Sequence, residues 1–454
     1  MAKEKEMGAM RPRSKFTGSI GFILAAAASA IGLGNLWRFP YLAAQYGGGV
    51  FLVTYLVLVF TVGFTLSLTE NTLGRMTGKS AIGAFSEFGK KFVWIGALIS
   101  IVPMIIFPYY SVIGGWVLKY FSMYITGQHA AVLNPDYFGG FITSTGEPIV
   151  WGLIFMFIAV FVVAKGVEGG IERVNSVMMP LLFVLLIVIS VVGLMLPGAL
   201  DGLYYYLVPD FSKFSVEMVL QALGQMFYSL SLAMAILITY GSYTPKDVNL
   251  EKSVARAAGL DTLVAIFAGL MIIPAVFAVL GADGVTSGPG LMFVTLPGVF
   301  ESTPIPNVVG MLFFLLVFFA AVTSAISLLE AVVSIFMDAL NIGRAKAVVI
   351  STVISTVLLV LSAAGYGVLG DFTLLNLQML DFFDFISNSI IMPIGAVLTL
   401  VFVGYVVGLP KVSEEIEVSG EFKTRPVYTV MVKYVAPIFI AAILVFNVVN
   451  WLGA

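Results

Sequence analysis

Two glycines and two polar side chains interrupt a strongly apolar stretch near the start of the chain. The stretch Ser29–Pro40 reads SAIGLGNLWRFP, so Gly32, Gly34, Asn35 and Arg38 lie where the composition is otherwise that of a membrane span. Glycine pairs free the backbone to leave a helix. In a bilayer such a break is tolerated only where the released carbonyls and amides find partners or line a cavity. The stretch therefore predicts either a kinked helix packed through small residues or a broken helix whose backbone holds an ion and a substrate.

A second apolar segment carries a similar set of polar side chains. Gln225, Ser229 and Ser231 crowd the middle of the stretch Gly224–Ala235. Discontinuous helices at matching places in two halves of a chain indicate a transporter built from inverted repeats. Serine in a span often bonds back to its own helix, so an unbroken helix is the alternative. Arg38 favours a functional site, because an arginine inside a span requires a partner.

The composition places the chain among polytopic membrane proteins. Hydrophobic residues make up 60% and charged residues 11% of the sequence, whereas soluble domains carry about 25% charged residues. Cysteine is absent, and the single histidine, His129, lies in a polar stretch between spans. These counts exclude thiol catalysis and histidine catalysis, and we expect no enzymatic activity. We expect no cleavable signal peptide either, since the apolar run after Met1–Lys15 continues as a span.

Eleven segments are apolar over roughly the 20 residues that a membrane crossing requires. The stretch 282–306 between the seventh and eighth is rich in proline and predicts a structured re-entrant or capping loop. The predicted spans lie near residues 18–43, 49–74, 92–125, 149–165, 174–197, 216–241, 254–281, 307–339, 345–363, 377–408 and 428–452.

The distribution of basic residues predicts the orientation in the membrane. With the N-terminus in the cytoplasm, 20 of the 23 lysines and arginines fall in cytoplasmic segments. Only Lys119 and Lys213 fall on the other side, and Arg38 is inside the first span. The positive-inside rule therefore predicts a multi-pass protein of the plasma (inner) membrane with a cytoplasmic N-terminus and an extracellular C-terminus.

Several motifs together make the chain resemble the neurotransmitter:sodium symporters, in particular bacterial amino-acid transporters with the leucine-transporter fold. The resemblance covers nearly the whole chain and rests on GLGNLWRFP at 32–40, GGG at 47–49, LTENTLGR at 68–75, the tyrosine pair 109–110, GQMFYSLSL at 224–232, ITYGSY at 238–243, AAVTSAIS at 320–327 and LDFFDF at 380–385. It implies an inverted five-helix repeat with helices 1 and 6 discontinuous. The implied segments are a cytoplasmic N-terminal segment 1–15, repeats 16–200 and 201–410, a cytoplasmic loop 411–427 and an eleventh helix 428–454.

The resemblance implies two sodium sites built from oxygen ligands, which a hard cation prefers. Glu70 would bond to backbone freed at the breaks rather than to an ion. Packing between helices is the alternative for the hydroxyls of site 2. Site 1 would comprise Ala30, Asn35, Ser229, Asp261 and the substrate carboxylate, and site 2 would comprise Ala28, Ile31, Ala320, Thr323 and Ser324.

The resemblance also implies that chloride is not needed. Animal relatives usually carry asparagine at the position of Asp261, and chloride supplies a negative charge nearby. Here the carboxylate of Asp261 would supply that charge, and Ala265, at a related chloride position, cannot coordinate an anion. We therefore expect Na⁺ at two sites and no chloride.

The substrate implied by the resemblance is a neutral L-amino acid. Monoamine members carry aspartate at the position of Gly32, so here the substrate would bring its own carboxylate, held by helix amino ends and Tyr110. The family's usual phenylalanine lid is Tyr228, and Ala233-Met-Ala235 replaces the frequent Gly-x-Gly, whose added methyls would narrow the pocket. A pocket without charge would favour apolar side chains. The expected substrate contacts are Ser29, Ala30, Gly32, Gly34, Ile106, Tyr110, Tyr228, Ser229, Ser231, Met234, Ser324 and Leu328.

Two charged pairs are implied as gates. On the outside Arg38 would pair with Asp384, directly or through water, with Asp381 nearby. On the inside Arg13 would pair with Asp338, close to Tyr243 and Glu330. A solvated charge remains the alternative for Arg13. Gly170 and Pro180 have a spacing at which relatives unwind the fifth span and let water reach sodium site 2.

The expected function is sodium-coupled, chloride-independent import of a neutral amino acid by alternating access. Two alternatives on the same fold are a carrier of a GABA-like or betaine-like osmolyte and a non-transporting or channel-like amino-acid sensor. The expected partners are the substrate and the lipid bilayer, without nucleic acid, and the expected assembly is a monomer or weak dimer.

Overall fold

The computed structural model describes residues 15–281, 284–285 and 288–453, and within these ranges the chain is helical without a β-strand. Short helices at Ala81–Ser86, Asp136–Thr143 and Ala199–Leu207 connect longer ones. The main helices are α1 Ser19–Ala30, α2 Gly34–Gln45, α3 Gly49–Thr77, α4 Lys90–Ile125, α5 Glu147–Ala164, α6 Val167–Leu194, α7 Val216–Ser229, α8 Ile236–Tyr243, α9 Leu250–Leu280, α10 Leu291–Phe300, α11 Pro306–Leu340, α12 Arg344–Ala364, α13 Met379–Glu417 and α14 Arg425–Leu452.

The predicted bundle of membrane helices is confirmed. In the described ranges nine helices are long and apolar enough to span a bilayer, and the bent pair α1–α2 makes a tenth. The two shorter helices α7 and α8 lie where the sixth span is predicted. The predicted capping loop 282–306 contains the apolar helix α10.

Two helix boundaries differ from the sequence-based expectation. The fifth span, α6, starts at Val167 rather than near 174. The wide turn Val167–Glu172 carries charged residues, which are typical of a loop, but it continues directly into the helix. The tenth predicted span, α13, continues past a bend at Gly408, where φ is 86°, and ends at Glu417. Residues 411–417 of the predicted loop are therefore helical, because this amphipathic turn buries Val412 and Ile416.

Both predicted interruptions are present. Helices α1 and α2 meet at an angle of 55° across the break at residues 31–33. Between α7 and α8, the φ angles of Ser231, Ala233 and Ala235 are 53°, 56° and 59°. Left-handed backbone costs a non-glycine residue about 1–2 kcal/mol. Surrounding contacts must therefore hold this second break open.

Helix α8, the second half of the predicted sixth span, lies directly on α3 through two glycines. A Cβ atom at Gly74 would lie 1.9 Å from the carbonyl oxygen of Ile238, and one at Gly241 would lie 2.2 Å from the carbonyl oxygen of Asn71. No side chain fits between the two backbones at these points. This contact fixes α8 to α3 and thereby positions one end of the second break.

We expect Gly74→Ala to lower the free energy of unfolding by about 1–3 kcal/mol, because the new methyl forces α3 and α8 apart. Thermal unfolding in detergent, followed by size-exclusion chromatography, measures the effect. Gly259→Ala is the matched control, since a Cβ atom at Gly259 meets nothing within 4 Å. Equal stability of the two variants would show that α3 and α8 are not held in contact.

Candidate functional site

The two breaks face each other and enclose a cavity in the centre of the bundle. Leu33, Asn35 and Ile236 contribute to its lining. Among the described residues that line it, none carries a formal charge. All the residues expected to contact substrate lie around this one cavity: Ser29, Ala30, Gly32, Gly34, Ile106, Tyr110, Tyr228, Ser229, Ser231, Met234, Ser324 and Leu328.

The two alanines of the second break, Ala233 and Ala235, lie outside the described lining of the cavity. The Cβ atom of Ala233 lies 4.0 Å from the place of a Cβ atom on Gly395 in α13, so this methyl points away from the cavity. Met234 and Ser231 line the cavity instead, and an effect of the two methyls on its width stays a prediction.

Hydroxyl groups from α4 and α11 hold the end of α1. The amide of Leu33 donates to the hydroxyl of Tyr110 over 3.3 Å. The hydroxyl of Ser324 lies 3.0 Å from the carbonyl oxygen of Ile31 and 3.1 Å from that of Ser29. These bonds satisfy backbone groups that the break releases, as a buried backbone requires. They also leave little room at Gly32, whose Cβ position is 2.7 Å from the Ser324 hydroxyl.

A buried carboxylate lies beside the cavity in contact with the first break. The side-chain nitrogen Nδ2 of Asn35 donates to Asp261 Oδ1 over 2.7 Å, and the Ser229 hydroxyl lies 2.9 Å from Asp261 Oδ2. All three side chains are buried, with at most 1% exposure. The structure thus brings together the side chains expected at sodium site 1, and Ala30 lines the adjacent cavity.

The residues expected at sodium site 2 also converge. Ser324 lies 3.4 Å from the carbonyl oxygen of Ala28 and 3.0 Å from that of Ile31, and Thr323 donates to the Ala320 carbonyl over 3.1 Å. This cluster of carbonyl and hydroxyl oxygens has the chemistry that a hard monovalent cation prefers. The Thr323 hydroxyl bonds within its own helix, an arrangement that also occurs in helices that bind no ion.

Two further polar side chains hold the breaks open. Ala233 donates its amide to Glu70 Oε1 over 2.8 Å, which is the backbone contact expected for Glu70. The alternating left-handed residues around Ala233 form the kind of backbone concavity that binds an anion. Gln225 in α7 donates to the Gly34 carbonyl over 3.1 Å and so joins α7 to the start of α2, beside the first break. The sequence marks Gln225 as a polar residue in mid-span without revealing this partner.

A second, wider cavity of about 310 Å³ lies on one side of the site and contains the expected outer gate. Arg38 and Asp384 both line it, but they do not form a direct ion pair. The Arg38 guanidinium carbon is instead 5.8 Å from the centre of the Tyr228 ring, and Asp384 accepts from the Tyr109 hydroxyl over 3.0 Å. Asp381 accepts from the Tyr366 hydroxyl over 3.0 Å. The direct form of the expected Arg38–Asp384 contact is therefore not formed here, and the water-mediated form stays a prediction.

We call the opposite face of the bundle the basic face. It is closed by the aromatic rings of Phe16, Tyr240 and Tyr243 and by the ion pair of Glu330 with Arg344. The ring of Phe16 lies 5.5 Å from that of Tyr240 and 6.1 Å from that of Tyr243. Tyr243 donates to Glu330 Oε1 over 2.7 Å, and Arg344 forms an ion pair with Glu330. No local motif in the sequence indicates the pairing of Arg344 with Glu330.

The expected inner gate is described in part. Asp338 accepts from the backbone amide of Ser80 over 2.6 Å. Arg13, the expected partner of Asp338, lies outside the described residues.

Comparisons with known proteins agree with this geometry. A family model described as the sodium:neurotransmitter symporter family matches residues 13–131 and 139–453. The uncharacterized sodium-dependent transporter YhdH of Bacillus subtilis is 36% identical over 86% of the chain and 87% of its own length. An uncharacterized sodium-dependent transporter of Methanocaldococcus jannaschii is 33% identical over 96% of the chain and 91% of its own length. The crystal structure of MhsT in complex with L-phenylalanine superposes with a TM-score of 0.87 at 38% identity, over 96% of the chain and all of MhsT.

Proposed function

The chain belongs to the sodium:neurotransmitter symporter family, and from this premise we propose that it imports a neutral L-amino acid together with sodium and without chloride. The observation that carries the proposal is the uncharged cavity between two broken helices, with every expected substrate contact around it. Released helix ends offer amide donors for a carboxylate and carbonyl acceptors for an ammonium group. An α-amino acid presents both groups at the distance of one carbon atom.

The lining of the cavity favours an apolar side chain on the substrate. Ile106, Met234 and Leu328 contribute hydrocarbon surface, and the remaining side chains there are uncharged. A charged substrate side chain would lose its hydration without gaining a partner, at a cost of several kcal/mol. The relation to MhsT, whose structure contains L-phenylalanine, supports the same substrate class.

Sodium would bind at two places that both involve the first break. At site 1, Ala30, Asn35, Ser229 and Asp261 would surround one ion together with the substrate carboxylate. At site 2, carbonyl oxygens of the break and hydroxyls of α11 would surround the other. Because ion and substrate share ligands at site 1, each raises the affinity of the other by the same factor.

Alternating access would follow from closing one side while opening the other. We propose that the basic face is cytoplasmic, since most lysines and arginines fall in segments on that side. Tyr110 and Tyr228 would close over the substrate, with Arg38 and Asp384 beyond them. Loss of sodium from site 2 would then free α1, and the contacts of Phe16 with α8 would part to release substrate.

Binding of a radiolabelled neutral amino acid to purified protein tests this proposal. We expect saturable binding in sodium chloride and sodium gluconate, and at least about 10-fold weaker binding in potassium salts, since removing shared ligands costs more than about 1.4 kcal/mol. A competition panel of amino acids, GABA and betaine separates the amino-acid carrier from the osmolyte carrier. Binding that is equal in sodium and potassium would contradict the proposal, and sodium-dependent binding without uptake into proteoliposomes would favour a sensor.

A further inference from the structure

The segment that precedes α1 is bonded to another helix. The capping residue of α1, Gly18, has no side chain to accept from the unpaired amides of the first turn. Glu172 at the start of α6 accepts from Thr17, the residue before Gly18. The Thr17 amide donates to Glu172 Oε2 over 3.1 Å, and the Thr17 hydroxyl donates to Glu172 Oε1. The contact joins residues 155 positions apart, so it ties two helices together rather than shaping one turn.

A glycine in α1 makes room for this carboxylate. A Cβ atom at Gly21 would lie 2.2 Å from Glu172 Oε1 and 2.4 Å from its carboxyl carbon. Gly21 is itself buried. The carboxylate therefore lies directly on the backbone of the first turn, where the positive end of the helix dipole favours a negative charge.

The helix that supplies the carboxylate begins with an irregular turn. Val167–Glu172 forms a single π-helical turn after Gly166, whose φ angle is 91°. Wide turns of this type are less regular than an α-helix and are frequent at functional sites. Three residues after Glu172, Asn175 is fully buried, and its amide has no hydrogen-bond partner among the described residues.

We propose that Glu172 is a positioning residue for transport, which holds α1 against α6 until the turn Val167–Glu172 rearranges. Closure of the basic face needs α1 in place, because Phe16 and Thr17 precede its first turn directly. Withdrawal of the carboxylate breaks both bonds to Thr17 and removes a negative charge from the start of the first turn. The state of α6 thereby sets when α1 can leave. This inference rests on the proposed function, in which release of substrate requires α1 to move.

A single introduced cysteine reports the position of α1, since the natural chain contains none. Ala25 is buried in α1, so in an Ala25→Cys background a water-soluble maleimide reacts only when α1 leaves its place. We expect slow labelling in sodium and faster labelling in potassium. Adding Glu172→Gln should raise the labelling rate in sodium at least about 10-fold, since hydrogen bonds to a charged acceptor are about twice as strong as neutral ones. High sodium should partly restore protection, because ion binding favours the packed state of α1.

Glu168→Gln is the matched control, because Glu168 lies in the same turn but is exposed. It should leave the labelling rate unchanged. Thr17→Val, which removes the donating hydroxyl, should act in the same direction as Glu172→Gln and keeps the test decisive if the latter folds poorly. A readout of α1 position separates positioning from folding, since a purely structural loss would not respond to sodium.

The outcomes distinguish the two levels of inference. If labelling of the Ala25→Cys background itself does not depend on sodium, the proposed function fails. If the background responds to sodium while Glu172→Gln and Thr17→Val label at its rate, the role of Glu172 is overturned and the proposed function stands.

Discussion

Asp261→Asn is expected to weaken sodium-dependent substrate binding about 10- to 100-fold in chloride-free solution, since a charged hydrogen-bonded group contributes about 1.5–3 kcal/mol. The carboxylate is fully buried against Asn35 and Ser229, directly beside the cavity. In the mutant, an ion bound there would lack its fixed negative charge. Partial recovery in chloride would show that a mobile anion can replace the carboxylate, as the comparison with animal relatives implies.

Equilibrium binding in sodium gluconate and sodium chloride measures this effect. Asp247→Asn is the matched control, because it makes the same chemical change at an exposed position outside the site. It should bind as the wild type does in both salts. Unchanged binding by Asp261→Asn in gluconate would remove Asp261 from the ion site and with it the expectation that the carboxylate replaces chloride.

Gly32→Ala is expected to abolish measurable binding of the amino acid while the protein still folds. The new methyl would lie 2.7 Å from the Ser324 hydroxyl and 3.0 Å from the Tyr110 hydroxyl. It would fill the space beside the first break and displace the side chains of Ser324 and Tyr110, which hold the released backbone there. Overpacking alone costs about 1–3 kcal/mol, and a carboxylate placed at this break would meet the methyl as well.

Binding isotherms, with thermal unfolding as the check on folding, measure the Gly32→Ala effect. Gly298→Ala in α10 is the control, since its Cβ position meets nothing within 4 Å. If Gly32→Ala binds the amino acid within a factor of about two of the wild-type affinity, the binding free energy changes by well under 1 kcal/mol. The substrate would then not occupy this end of the cavity.

The sequence predicts the bundle well because lipid imposes a simple rule on composition. Each span must be apolar over its length, so spans appear without knowledge of their packing. The same rule misplaces the start of α6, where Glu168 and Glu172 resemble a loop. The second break was harder to predict than the first, because Ala233 and Ala235 carry no signal for a left-handed backbone. The left-handed backbone is held by a hydrogen bond from the Ala233 amide to the carboxylate of Glu70, which is distant in the chain.

The candidate site is predictable to the extent that its residues belong to recognisable motifs. The motifs around Gly32, Ser229 and Ser324 indicated side chains that the structure places around one cavity. Contacts between remote segments, such as Thr17 with Glu172 or Tyr243 with Glu330, follow from packing and leave no local pattern. For the same reason, the direction of the Ala233 methyl could not be deduced from its neighbours in the chain.

The two walls of the central cavity differ greatly in thickness. Towards the wide cavity a single ring separates the compartments, because Tyr228 is the one described residue that lines both. Towards the basic face lie the Phe16 and Tyr240 rings and, behind them, the bond of Tyr243 to Glu330. A side-chain rotation takes picoseconds to nanoseconds, whereas displacement of a helix takes microseconds to milliseconds. Opening towards the wide cavity therefore requires only a ring to rotate, whereas opening towards the basic face requires a helix to move. In the proposed transport cycle, we expect the second opening to be the slower one.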